Sequence, residues 1–108
     1  MTKQDSLQGS LQLLILKILH RRGPLHGYGI TAQIEAISDL LRVEEGSLYP
    51  ALHRMEETGW VRARWRTTEN NRRARIYELT PAGRKQLVDE EHRWTSITAA
   101  IGQVLEEA

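Results

Sequence analysis

Apolar residues recur at helical spacing near the start of the chain. One face follows the i, i+3, i+4, i+7 and i+8 pattern: Leu11, Leu14, Ile15, Ile18 and Leu19. This pattern predicts a helix from about Leu7 to Arg22. Gly23 and Pro24 end it, because glycine suits the left-handed residue after a helix and proline cannot continue one. Leu13 and Leu16 lie on other sides, so we expect further cover for this helix, with a second subunit as one source.

Two further helices follow. Three isoleucines at helical spacing predict the second helix, from about Gly27 to Ser38: Ile30, Ile34 and Ile37. The third begins near Glu45 to Ser47, carries one apolar stripe and ends at Gly59. The stripe contains Leu48, Leu52 and Met55. We expect Pro50 in the first turn of this helix, where no amide hydrogen bond is yet required.

The apolar period changes to two between Trp60 and Leu79, which predicts two strands joined as a hairpin. The connecting loop is expected from Thr67 to Ala74, with Asn70 and Asn71 at the turn and arginines at the tip. Thr80 and Pro81 then predict a helix start, with threonine as the cap and proline at the first helical position.

The last helix is predicted from about Pro81 towards Leu105. Its apolar residues fall on the two seam positions of a heptad: Leu87, Trp94, Ile97, Ile101 and Val104. A domain of 108 residues rarely needs so long an amphipathic helix for its own core, so the pattern favours packing against a partner helix. Trp94 is interpreted as an interface aromatic or, with its copy across a twofold axis, as one wall of a ligand slot.

This order of elements is typical of a winged helix-turn-helix: a mainly α fold with a small β-hairpin, extended by a C-terminal dimerisation helix. In such domains the later helix lies in the DNA major groove. The third helix offers Ser47, Tyr49, His53 and Arg54 on its polar side. We expect residues 1–80 to form the DNA-binding domain, with helix 7–22 also contributing to a dimer, and residues 81–108 to form the dimerisation helix.

The net charge of +1 conceals two opposite segments. From Trp60 to Tyr77 there are six arginines and one acid, a net charge of +5, whereas Gln86 to Ala108 has a net charge of −4. Such asymmetry indicates a local anion-binding surface or, alternatively, a solvated charged loop. Three of the arginines share one strand face, where an anionic partner or neighbouring acids would ease their repulsion: Arg62, Arg64 and Arg66.

Composition argues against enzymes and membrane proteins. The chain has no cysteine, and its four histidines form no HExxH pattern, so we expect no catalytic site, metal or cofactor. Its longest apolar run is too short to span a membrane, and residues 1–6 carry no signal-peptide pattern. A cytoplasmic location is therefore expected. Gly27 and Gly29 lack the spacing of a phosphate-binding loop and are interpreted as tight-turn and close-packing glycines.

Three segments resemble the signature of PadR-type transcriptional regulators, and the likeness covers nearly the whole chain. They are Leu25–Ile30, Glu45–Glu56 and Asn71–Gly83. The resemblance implies a homodimeric DNA-binding repressor of the short subfamily, which has a single C-terminal helix. Its recognition helix would carry Ser47–Pro50, with Arg72 and Arg73 on the wing. Some short PadR-type regulators also hold a flat aromatic ligand at the dimer axis, which implies a small aromatic effector near Trp94.

The candidate contacts have structural alternatives. The expected DNA-binding residues are Ser47, Tyr49, Pro50, His53, Arg54, Arg72, Arg73 and Arg75. Tyr49 would donate its hydroxyl to a phosphate or be a half-buried surface aromatic, and the wing arginines would bind phosphate or form salt bridges. Two other functions stay open: a winged-helix assembly module whose basic wing binds an acidic protein, and a small drug-binding protein with vestigial DNA contacts.

Overall fold

Four helices and three short strands follow one another along residues 5–107, which the computed structural model describes. In chain order they are α1 (Asp5–Arg22), β1 (Leu25–His26), α2 (Gly27–Ile37), α3 (Glu45–Thr58), β2 (Val61–Thr67), β3 (Arg73–Leu79) and α4 (Pro81–Glu106). The strands form one antiparallel sheet in the order β1-β3-β2. The mainly helical class with a small hairpin is thus confirmed. Residues 1–4 and Ala108, included in the two predicted segments, lie outside the described residues.

The predicted helix ends are confirmed by their backbone geometry. Gly23 and Gly59 have φ of 83° and 90°, in the left-handed region that follows a helix. The Gly59 N–H donates to the carbonyls of Met55 and Glu56 at 3.1 Å. At the start of α4, Thr80 Oγ1 accepts the Gly83 N–H at 3.0 Å, as its capping role requires.

The expected place of Pro50 is wrong. Because α3 begins at Glu45, Pro50 lies in the second turn and cannot donate the bond that the Gly46 carbonyl would normally receive. Both residues are exposed, so water can hydrogen-bond to that carbonyl. An exposed helix face therefore tolerates a proline that a buried face would not.

The hairpin loop is shorter than predicted. Strand pairing continues to the Thr67–Arg73 pair, so the loop comprises residues 68–72, and Arg73 belongs to β3 rather than to the loop tip. Asn71 supplies the left-handed residue, with φ of 62°, and its N–H donates to the Thr68 carbonyl at 2.9 Å. Strand β1 was not predicted, because two residues are too few to show a period of two.

The hydrophobic core forms around α1, which contacts α2, α3, α4 and β3. Leu16 is completely buried and Leu13 packs partly buried against the same core. Elements on several sides of α1 therefore supply the cover that Leu16 requires, whereas contact of α1 with a second subunit stays a prediction. The largest buried side chains elsewhere are Ile30, Ile34, Leu48, Leu52, Met55 and Val61.

Candidate nucleic-acid interface

Helix α3 divides into a buried face and an exposed polar face. Its buried residues are Leu48, Ala51, Leu52 and Met55. Its exposed residues include Ser47, Tyr49, Pro50 and His53, and Arg54 is half-buried. His53 Nε2 lies 3.2 Å from the Glu57 carboxylate one turn further along the helix. The stripe buries one side of the helix and so fixes which side chains face solvent.

The Tyr49 ring packs over the first turn of α2. A Cβ atom added at Gly27 would lie 2.5 Å from the Tyr49 hydroxyl oxygen and 2.8 Å from two ring carbons. The close-packing interpretation of Gly27 is confirmed. The tight-turn interpretation of Gly27 and Gly29 is wrong, since both lie within α2, where His26 Nδ1 accepts the Gly29 N–H at 2.9 Å.

Because the sequence predicts Tyr49 as a DNA contact, we expect Gly27→Ala to weaken DNA binding without unfolding the protein. The new methyl group displaces the Tyr49 ring, which is 44% exposed and can swing aside into solvent. Affinity should fall about as far as in Tyr49→Ala, and the free energy of unfolding should change by less than about 1 kcal/mol. Fluorescence anisotropy and urea unfolding measure the two effects. Gly46→Ala is the matched control, because a Cβ there meets nothing within 4 Å; equal reductions of DNA affinity in both variants would contradict the account.

One face of the hairpin carries Trp65, Arg73 and Arg75, and we call it the inner face. Trp65 pairs with Arg75 across the two strands, and Arg73 lies two residues before Arg75 on the same face. The Arg73 and Arg75 guanidinium carbons lie 4.9 and 5.6 Å from the Trp65 ring centroid. These distances allow cation–π attraction at both arginines.

On the other face of the hairpin, one glutamate pairs with two arginines. Glu78 accepts hydrogen bonds from Arg62 at 3.1 Å and from Arg64 at 3.0 Å. A neighbouring acid therefore eases the repulsion between these two arginines, which is one of the two alternatives that the sequence left open. Sequence spacing could have indicated the first contact, since Arg62 and Glu78 are directly opposed on β2 and β3.

A groove of about 880 Å³ lies between the hairpin and the start of α2, and α3 contributes Tyr49 to its lining. It brings together four of the predicted DNA-binding residues: Tyr49, Arg72, Arg73 and Arg75. Ser47, Pro50, His53 and Arg54 do not line it, and Ser47 lies instead beside an apolar cleft next to α1. The groove is lined by guanidinium groups, which suit phosphate oxygens, and by aromatic rings, which add apolar surface beside them.

Two ionisable groups at the groove have raised pKa values. The hydrogen bond to Glu56 raises the pKa of the Arg75 guanidinium, so Arg75 stays positively charged. Burial raises the pKa of the Tyr77 phenol, which therefore stays neutral at neutral pH. Glu56 and Trp65 were not singled out from the sequence, since their importance depends on contacts across the fold.

The apolar seam of α4 is divided between two environments. Leu87 is 4% exposed in the core of the chain itself, so it cannot contribute to a dimer surface as predicted. Trp94 is half-buried, and every described residue from Thr95 onward is exposed. The outer seam consists of Ile97, Ile101 and Val104, which are 42%, 52% and 70% exposed.

Among the side chains that the structure describes, no group of three or more histidine or acidic residues is placed to hold a metal ion. Within the described residues, no helix is both long and apolar enough to cross a membrane.

Comparison with known proteins gives consistent matches. The family model of the transcriptional regulator PadR-like family matches residues 15–89. The transcriptional regulator Rv3488 of Mycobacterium tuberculosis is 36% identical over 77 residues, which cover 69% of each protein. An uncharacterized 37.1 kDa protein in transposon TN4556 of Streptomyces fradiae is 44% identical over 97 residues; the match covers 90% of this chain, which spans 26% of that relative. The crystal structure of a putative transcriptional regulator from Thermoplasma acidophilum has a TM-score of 0.80 and 30% identity, covering 93% of this chain and 94% of that one.

Proposed function

Because the chain belongs to the PadR-like family of transcriptional regulators, we propose that it is a homodimeric repressor that binds a palindromic DNA operator. The observation that carries the proposal is the groove beside the hairpin, which Tyr49 of α3 lines together with the cationic residues Arg72 and Arg73. Regulators of this family bind DNA and are not enzymes, so the site is a binding surface rather than a catalytic centre.

In the proposed complex, α3 lies in the major groove and the hairpin contacts the adjacent backbone. The proposed α3 contacts are Ser47, Tyr49, Pro50, His53 and Arg54. Phosphate oxygens accept hydrogen bonds from the hairpin residues Arg72 and Arg73. Twofold symmetry then requires half-sites about 10 bp apart, or a multiple of that spacing.

The dimer is proposed to form through α4. Its outer seam exposes apolar side chains at heptad spacing, and a second copy of the helix would cover them. The chain then divides into a DNA-binding domain of residues 1–80, with helix 7–22 also contacting the partner, and a dimerisation helix of residues 81–108. A protein of this kind acts on DNA in the cytoplasm.

A small planar aromatic effector is proposed to bind beside Trp94, which is half-buried at the inner end of the outer seam. Such a ligand releases DNA only if it binds better to a dimer geometry that misplaces the two α3 helices. Trp94 fluorescence, in a variant with Trp60 and Trp65 replaced by phenylalanine, tests for this site. The effector proposal fails if a panel of planar aromatic compounds leaves the emission unchanged.

The direct test of function is an anisotropy titration with DNA from immediately upstream of the chain's own gene. A scrambled duplex serves as the control, at about 50 and 200 mM salt. If a dimer neutralises about 6 to 10 phosphates, affinity falls about 10³- to 10⁵-fold between these concentrations. Tight, salt-sensitive preference for the upstream DNA supports an autoregulating repressor. Absence of binding at the lower salt contradicts the proposal and favours a protein-assembly module.

Arg73→Ala is expected to weaken binding to every sequence and to reduce the salt slope by about two per dimer, one for the phosphate that each protomer no longer neutralises. Arg73 is exposed beside the groove, and Trp65 holds its guanidinium in place. The slope of log affinity against log salt measures the change. Arg62→Ala removes the same charge from the opposite face and should leave the slope unaltered, because Arg62 is paired with Glu78. Equal slopes for Arg73→Ala and the parent would assign Arg73 a structural role.

A further inference from the structure

An ion pair joins α3 to the inner face of the hairpin. Arg75 Nη2 donates a hydrogen bond to Glu56 Oε2, across 19 residues of sequence. The two side chains are 36% and 27% exposed, so the pair is half-shielded from solvent. Among the ion pairs of the described residues, this one connects the helix proposed to read bases with the hairpin proposed to bind phosphates.

The position of Arg75 is further fixed on the hairpin itself. Its guanidinium carbon lies 5.6 Å from the Trp65 ring centroid, and Trp65 is its partner across the strands. Arg75 is thus attached to α3 through a carboxylate and to the hairpin through an aromatic ring. Arg73 shares the same ring at 4.9 Å, and no acid is paired with Arg73 among the described ion pairs.

The two neighbouring arginines therefore differ in what they can offer to DNA. The Glu56 carboxylate compensates the positive charge of Arg75, whereas that of Arg73 remains available to an anion. A phosphate competing for Arg75 would leave a half-shielded Glu56 without its partner and close to a second negative charge, which is unfavourable.

We propose that Glu56 and Arg75 are positioning residues that set the distance between α3 and the hairpin, and that Arg75 is not a phosphate ligand. This inference rests on the proposed function, since the distance matters because base edges and phosphates must be contacted together. It replaces the sequence-based prediction that Arg75 contacts DNA directly. It also assigns a role to Glu56, which nothing in the sequence pattern of α3 distinguishes from the adjacent Glu57.

The binding test compares Arg75→Gln, Glu56→Gln and Arg73→Gln on upstream and scrambled duplexes over a salt series. Arg75→Gln should keep the parental salt slope while lowering the preference for upstream DNA about tenfold. Glu56→Gln releases the charge of Arg75, so the slope should steepen by about two per dimer and scrambled DNA should bind more tightly. Arg73→Gln should make the slope shallower by about two. A slope for Arg75→Gln as shallow as that for Arg73→Gln would identify Arg75 as a phosphate ligand and overturn the proposal.

A second readout needs no DNA and so separates this inference from the proposed function. The steady-state heteronuclear ¹⁵N NOE at Asn70 and Arg72 reports how firmly the hairpin is held. It should fall in Glu56→Gln and in Arg75→Gln. Arg62→Gln is the matched control, because it breaks an ion pair that lies within the hairpin. Unchanged NOE values in the first two variants overturn the positioning role, whereas failure of the parent protein to bind DNA contradicts the proposed function alone.

Discussion

Ile101→Asp is expected to convert the proposed dimer into monomers and to lower operator affinity more than 100-fold. Ile101 is 52% exposed at the centre of the outer seam, where a partner helix would pack against it in the proposed dimer. The substitution removes buried apolar contacts from both protomers and places two carboxylates in the same interface, each without a compensating charge. A monomer contacts one half-site only, so it loses the gain in affinity that comes from binding two linked half-sites together. Sedimentation velocity measures the mass, and anisotropy measures the affinity.

Ala99→Asp provides the control for this prediction. Ala99 is exposed on the same helix, two residues before Ile101 and therefore on nearly the opposite side. It introduces the same charge without entering the seam, so dimer mass and DNA affinity should stay at parental values. A dimeric Ile101→Asp protein would show that the outer seam is not the interface. Circular dichroism should show the same helix content in both variants, since neither residue belongs to the core.

Gly83→Ala is expected to destabilise the fold by about 3 kcal/mol or more, at the upper end of what overpacking costs. A Cβ at this position would lie 2.1 Å from the Trp60 carbonyl oxygen and 3.0 Å from the carbonyl carbon. These are backbone atoms and cannot rotate away. The same Trp60 carbonyl accepts the Thr80 N–H at 3.1 Å, so moving α4 also strains the start of that helix. For a domain of this size the melting temperature should fall by roughly 10 °C or more.

Gly102→Ala in the same helix is the matched comparison. A Cβ there meets nothing within 4 Å, and alanine has a better helix propensity than glycine by about 0.8 to 1 kcal/mol. The two alanine substitutions should therefore shift the melting temperature in opposite directions. If Gly83→Ala has the same melting temperature as the parent protein, the first turn of α4 can move away from Trp60 without loss of stability. Thermal unfolding followed by circular dichroism distinguishes the two results.

Local pattern was sufficient to predict the helices and the hairpin. Helix ends at Gly23 and Gly59 and the cap at Thr80 depend on residues adjacent in sequence, and all three were predicted. The predicted place of Pro50 was wrong by one turn. The sequence alone does not show that the Gly46 carbonyl is exposed to water and so tolerates the loss of its helical hydrogen bond. Strand β1 was missed because it exists through pairing with β3.

Contacts between parts of the chain that are distant in sequence could not be predicted from local patterns. Periodicity identified one apolar face of α4, but it could not show that Leu87 packs inside the chain while Ile101 faces outward. Likewise, the arginine count of the hairpin gave its charge without the pairing to Glu56 and Glu78. Such pairings join residues far apart in sequence, and they depend on the angle between α3 and the sheet rather than on any local spacing.

The exposed end of α4 extends well beyond the ion pair that attaches this helix to α1. Lys17 Nζ lies 2.8 Å from the Glu91 carboxylate and ties the inner part of α4 to α1, whereas from Thr95 onward the helix has left the body of the protein. The 15 residue steps from Glu91 to Glu106 span about 22 Å at 1.5 Å per residue. A tilt of α4 by about 10° at Glu91 therefore moves its C-terminal end by about 4 Å. This displacement exceeds the 3.4 Å rise between neighbouring nucleotides on one DNA strand. Small rotations at the base of this helix are thus amplified to the scale on which DNA register is measured.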